Sequence, residues 1–231
     1  VSAATQWASP PVDDVGYISS SKLLQLSDED LMDLVINFEQ TRYKGWRNWN
    51  GNWRRVLKMD ETFNSDVMDF GCGVGIEGLQ YARAGNRVVP SDIVPANVEL
   101  AVRVLRLMGY PGTPIMPPYD VIHCSGCLHH IPNPRSHMRD FHDMLRPGGE
   151  VRLMLYSDWA WRLHTGMEPP EDTLSHPMFE VYVRAMDGVG EYADWYDDAK
   201  LEDWFGEWFR LENFEYLTQD LAYCGAVLVK L

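Results

Sequence analysis

The stretch Val67–Gly78, "VMDFGCGVGIEG", decides how the chain is read. It carries two overlapping glycine patterns. One is Asp69-x-Gly71-x-Gly73-x-Gly75. The other is Gly73-x-Gly75-x-x-Gly78, the spacing of a dinucleotide-binding loop. Both describe the same local physics. An apolar strand ends, glycines let the backbone turn tightly and approach a ligand, and a helix begins with its N-terminal amides beside the loop. Asp92 ends "RVVPSD", 17 residues after Gly75, where an acid accepts hydrogen bonds from ribose hydroxyls.

Outward from this loop the chain alternates strand and helix. "DVMDF" reads as a buried strand, "IEGLQYARAG" as a helix closed by Gly85 and "RVVPSDI" as a second strand. "ANVELAVRVLRLMG" is a second helix and "YDVIHCS" a third apolar strand. "PRSHMRDFHDMLRPGG" is a helix with a tight turn, and "EVRLMLYS" a fourth strand. This order predicts an α/β fold, Rossmann-like, with a mostly parallel sheet and helices on both faces. "DDAKLEDWFGEWF" is a further helix, and "RLENFEYLTQD" with "LAYCGAVLVKL" a terminal antiparallel strand pair. Upstream, "SDEDLMDLVINFEQTRY" predicts a helix with Ser27 as N-cap and acids in its first turn. "GNWRRVLKM" predicts another. The segment up to about Ser21 reads as a mobile arm.

Composition narrows the function. The 231 residues allow one α/β domain with a sizeable core. The formal net charge of -14 gives no electrostatic footprint for DNA or RNA, so no nucleic-acid partner is expected. The one basic patch, Arg42–Lys58, reads as a basic, aromatic helix lying on the domain. No apolar run approaches the roughly 20 residues that span a bilayer, so no membrane partner is expected. The first residues lack the basic and apolar regions of a signal peptide. The four cysteines form no framework for a small secreted domain, and a cytoplasmic location with reduced thiols is expected.

Two features choose between the glycine patterns. Asp69, two residues before Gly71, would repel a pyrophosphate but attract the ammonium group of a methionine moiety. The strand ending in "HCSGCLHHIPNP" and the closing strand pair do not suit a nicotinamide enzyme. With "VMDFGCGVG", the acid in "SDI", "YDVIHCSGCLHHIPNP" and "MLRPGGEVRLML" in this order, the chain resembles the class I S-adenosylmethionine-dependent methyltransferases. Within these it is similar to the small-molecule type related to ubiquinone biosynthesis. The likeness covers roughly 65–157 and the terminal strand pair.

The resemblance implies S-adenosyl-L-methionine as cofactor. Asp69, Gly71, Cys72, Gly73 and Gly75 would hold its methionine end, Asp92 its ribose and Ile93 its adenine. Ser125 and Gly126 would border its sulfur. Residues 1–64 would be an arm and helices covering the substrate side, and 65–231 the core, with a cap insertion at about 158–190. One departure stands out. The ten residues after Gly109, "YPGTPIMPPY", hold four prolines and no acid, so the strand expected there should be absent or vestigial.

Transfer to a protonated nucleophile is helped by a base, and His130 and His129 follow the strand nearest the methyl end. Tyr43, Trp49, Tyr156, Trp159, His164 and Trp195 are candidates for an aromatic substrate wall. The acids Glu191 and Asp194 read as a solvated face, or as a feature favouring an amine. Cys124-x-x-Cys127 with two histidines has the ligand types of a zinc or redox site. Because Cys124 reads as part of a buried strand, no metal is expected. The chain is read as transferring a methyl group to an oxygen or nitrogen of a small organic acceptor. The alternatives are a protein or RNA acceptor, and a non-catalytic binding module of the same fold.

Overall fold

In the computed structural model, residues 3–12, 16–44, 52–110, 115–186 and 191–231 are described. Six strands form one sheet: β1 (Asp66–Phe70), β2 (Arg87–Ser91), β3 (Tyr119–Ser125), β4 (Leu145–Tyr156), β5 (Phe209–Tyr216) and β6 (Tyr223–Lys230). Their order is β2-β1-β3-β4-β6-β5. The first four are parallel, and β6 runs antiparallel to both β4 and β5. The expected Rossmann-like α/β fold and its terminal strand pair are therefore present. Among the described residues no strand lies between Gly109 and β3.

The helices are α1 (Ala3–Gln6), α2 (Ser20–Leu23), α3 (Asp28–Lys44), α4 (Asn52–Val56), α5 (Ile76–Arg83), α6 (Pro95–Leu107), α7 (Pro134–Met144), α8 (Asp158–Thr165), α9 (Phe179–Met186) and α10 (Asp198–Phe205). Ser27 caps α3, its Oγ accepting the Asp30 N–H at 3.1 Å.

The strands β1 and β3 are buried on both faces, as in a parallel sheet, although Asp66, Asp69 and His123 are among their buried residues. Alternate side chains enter different layers. Val67 and Val121 pack with residues of α3, α4, α5 and α6 on one face. Met68 and Ile122 pack with Met138 and Phe141 of α7 and Leu201 and Phe205 of α10 on the other. Truncating a fully buried member such as Ile122 to alanine would cost about 2–5 kcal/mol through lost contact and the void left behind. A third cluster joins α8 and α9 through Trp161, Tyr182 and Val183.

This strand order reverses direction at β1. A crevice opens there at the carboxyl ends of the strands, where open α/β sheets bind ligands. The described residues of the arm pack over that crevice. Asn97 Nδ2 donates to the Trp7 carbonyl at 3.2 Å, Ser20 Oγ donates to Asn97 Oδ1, and Val12 is buried.

Candidate active site

A cavity of about 650 Å³ fills the crevice. Its floor is the glycine loop after β1. The Gly71 and Cys72 amides donate to the Ser91 carbonyl at 2.8 and 3.1 Å, which pins the loop to the end of β2. Gly71, Gly73 and Gly75 all have positive φ, a region that disfavours residues with a Cβ. Asp92 ties the two strand ends together. Its Oδ2 accepts the Gly73 N–H at 3.1 Å and its Oδ1 the Val94 N–H at 2.9 Å. A carboxylate has about four acceptor positions, so these bonds leave capacity for ribose hydroxyls.

Of the residues expected to touch a cofactor, Gly71, Cys72, Gly73, Asp92, Ile93, Ser125 and Gly126 line the cavity. Ser125 Oγ is buried there with no hydrogen-bond partner among the described residues, an orphaned polar atom of the kind a bound ligand satisfies. Ile93 is 62% exposed, an apolar surface suited to one face of a flat base.

Asp69 and Gly75 belong to the loop but do not line the cavity. Asp69 is buried beneath the loop and its Oδ2 accepts the Gly78 N–H at 3.0 Å. Burial, reinforced by Glu77, pushes its carboxyl up to about 8. Gly75 is needed for packing. A Cβ there would lie 2.8 Å from the Cβ of Ala101 on α6. Gly78 likewise lets α5 sit on the sheet, since its Cβ would approach Asp69 and Val88 within 3.2 Å.

His130 stands at the other end, on the short 3-10 turn Leu128–His130. Its Nδ1 lies 2.8 Å from the Tyr192 carbonyl, and its ring is 4.7 Å from Trp7. A carbonyl only accepts, so a neutral ring carries its proton on Nδ1 and keeps the lone pair on Nε2. His129 lies in the core beside the cavity. It is fully buried and stacks on Tyr156 at 3.7 Å, and neither ring nitrogen has a hydrogen-bond partner among the described residues. Desolvation holds its imidazole well below the usual range, so it is a neutral packing residue.

The substrate candidates also divide. Tyr156 lines the cavity. Tyr43 is buried behind it, 3.4 Å from Glu77, and Trp159 lies outside it on α8, half exposed beneath Arg162. Trp195 is turned away, its Nε1 donating to the Pro170 carbonyl at 3.0 Å, and His164 on α8 does not reach the cavity. Trp49 lies outside the described residues. Asp194, read as part of a solvated face, is instead buried and paired with Lys200 at 2.9 Å.

Several wall residues carried no motif. Trp7, Pro10, Pro11 and Tyr17 come from the arm, Phe38 and Arg42 from α3, Trp53 from α4, Met186 from α9 and Tyr223 from β6. Arg42 pairs with Glu77 at 2.7 Å, with its guanidinium over the rings of Phe38 and Trp53. Arg54, Arg55 and Lys58 also have carboxylate partners. The basic patch is thus neutralised where described. The one signal pointing here was its mixture of cations and aromatic residues. Among the described residues no group of three or more His, Cys, Asp or Glu side chains is placed to hold a metal, and no helix is long and apolar enough to cross a membrane.

Residues 38–220 match the family described as "Methyltransferase domain". A ubiquinone biosynthesis O-methyltransferase of Proteus mirabilis is 32% identical over 105 residues, 41% of this chain and 43% of that protein. One of Pseudomonas syringae is 32% identical over 138 residues, 51% of this chain and 60% of that protein. The chain thus spans about half the length of the curated relatives it matches. A solved SAM-dependent methyltransferase from Aquifex aeolicus has the same fold, with a TM-score of 0.58 over 93% of this chain and all of that one at 12% identity.

Proposed function

The chain belongs to the methyltransferase-domain family, with S-adenosyl-L-methionine as its cofactor, and from that premise we propose that it methylates a hydroxyl or amine on a small, flat organic acceptor. One observation carries this reading: a single cavity joins the glycine loop and Asp92 to an aromatic wall and His130. The cofactor supplies an electrophilic methyl group on sulfur.

In this reading the chain's own residues do four things. Gly71 and Gly73 let the backbone approach the methionine end, and Ser125 offers its unpartnered hydroxyl beside it. Asp92 receives the ribose, and Ile93 covers one face of the base. Trp7, Phe38, Trp53, Tyr156 and Tyr223 exclude water and stack an acceptor, holding its nucleophile in line with the methyl carbon. His130 Nε2 would take the proton that the acceptor gives up when it is methylated. The name O-methyltransferase of the matched relatives favours oxygen as the atom methylated.

The enclosing arm supports a small acceptor over a protein or RNA one. The test is to incubate the protein with S-adenosyl-L-methionine and panels of phenols and aromatic amines, reading S-adenosylhomocysteine and methylated product together. Product from a member of the panel supports the reading. Tight cofactor binding with no turnover on any small acceptor would favour a macromolecular partner or a binding module.

A further inference from the structure

Lys200 and Asp194 form a buried ion pair that does not line the cavity. Their Nζ and Oδ2 are 2.9 Å apart, with side chains 7% and 3% exposed. Thr173 Oγ1 donates to the Asp194 carboxylate, and the Trp195 N–H donates to its Oδ1 at 2.9 Å. The ammonium of Lys200 also lies over three rings, 4.1 Å from Trp195, 4.5 Å from Trp204 and 5.1 Å from Tyr196. Such a pair is a poor way to gain stability. Desolvating both charges offsets most of their attraction, and an apolar pair of similar size would pack as well. What a buried, directional pair can do is fix one backbone register.

The register it fixes is that of Tyr192–Asp194. This stretch meets the turn bearing the histidines at two points. The Asp194 N–H donates to the His129 carbonyl at 2.9 Å, and the Tyr192 carbonyl faces His130 Nδ1 at 2.8 Å. Asp194 is thus held on its backbone side by the histidine turn and on its side-chain side by Lys200 and Thr173. A displacement of one residue would replace the carbonyl under Nδ1 and allow the other tautomer, whose Nε2 carries the proton and is no base.

We infer that Asp194 and Lys200 are positioning residues for His130, setting its tautomer through the Tyr192 carbonyl. This inference rests on the reading of His130 as the base. Neither residue touches the cavity. Their effect is therefore on turnover and not on binding.

The experiment uses Asp194→Asn/Lys200→Met, which removes both charges and leaves none uncompensated. Nitrogen-15 NMR of the ring, assigned by its loss in His130→Ala, reports the tautomer directly. The native protein should show protonation at Nδ1 alone, and the double variant a mixture. With the best acceptor found, kcat should fall about 10-fold while the acceptor KM and cofactor Kd stay within about twofold. In a His130→Ala background the same pair of changes should have no further effect on kcat. Thr173→Val, a milder change on the same carboxylate, should move the tautomer and kcat in the same direction by a smaller factor and serves if the double variant does not fold. An unchanged tautomer, or an equal loss of kcat with and without His130, would overturn the inference. Native kcat in His130→Ala would instead defeat the base reading, and the NMR result would still decide whether the pair positions the ring.

Discussion

At the loop end of the cavity the wall is main chain and short side chains from consecutive strand ends, β1, β2 and β3. At the His130 end it is large side chains from the arm, α3, α4, α9 and β6. The first end is rigid by construction. Its amides are tied to Ser91 and Asp92, and its glycines are pressed against α6 and Cys127. The second end is assembled by tertiary packing, so each member can change without disturbing the loop. In the proposed reading, the difference teaches that one end would serve a constant ligand and the other an acceptor that sequence changes can redefine.

The sharpest way to break this comparison is His130→Ala. Turnover should fall about 10³-fold, with the cofactor Kd within about threefold of native, measured by product formation and calorimetry. A loss of cofactor binding instead would mean that the two ends are not separable.

Two glycines in the same loop test the rigid end. Gly75→Ala forces a Cβ against Ala101 at positive φ and should destabilise the fold by about 3 kcal/mol in urea unfolding. Gly73→Ala meets only Pro10, at 3.5 Å, and should weaken cofactor binding about 10-fold with a smaller loss of stability. Equal stability losses would erase the distinction between packing and ligand approach.

Trp7→Ala tests the assembled end. The acceptor KM should rise about fivefold, with cofactor affinity within about twofold. A changed cofactor Kd with an unchanged KM would place the arm over the wrong end.

A test by pH concerns Asp69. Its carboxyl is raised in the folded protein from 3.8 to about 8, chiefly by burial. The folded state then prefers the protonated form. The stabilisation is complete below the unfolded value and is lost as pH rises from about 4 to about 8. Asp69→Asn keeps an acceptor for the Gly78 N–H and cannot ionise, so its melting temperature relative to native should rise between pH 5 and pH 8. A difference that does not vary with pH would show that Asp69 ionises freely in the fold.

The same contrast explains what could be read from the chain alone. The fold was legible because apolar strands alternate with capped helices over short distances. The ends of β1, β2 and β3 were legible because Gly71, Gly73, Asp92 and Ser125 lie in local motifs. The burial of Asp69 was not legible, because a motif gives a residue's place in the chain but not where its side chain points. The different surroundings of His129 and His130 were not legible, because a helical turn sends adjacent histidines to different environments, one into the core and one to the cavity. Trp7, Phe38 and Tyr223 carry no local signal, since only tertiary packing brings them together.

The measurement that tests the central claim most directly is calorimetric titration of the native protein and Asp92→Ala with S-adenosyl-L-methionine and, separately, with NADH. The native protein should bind one equivalent of S-adenosyl-L-methionine with a Kd on the order of 10 µM. Asp92→Ala should bind it about 100-fold more weakly, and neither protein should bind NADH. Equal affinity in both proteins, or binding of NADH to the native one, would contradict the assignment of the glycine loop and Asp92 to this cofactor.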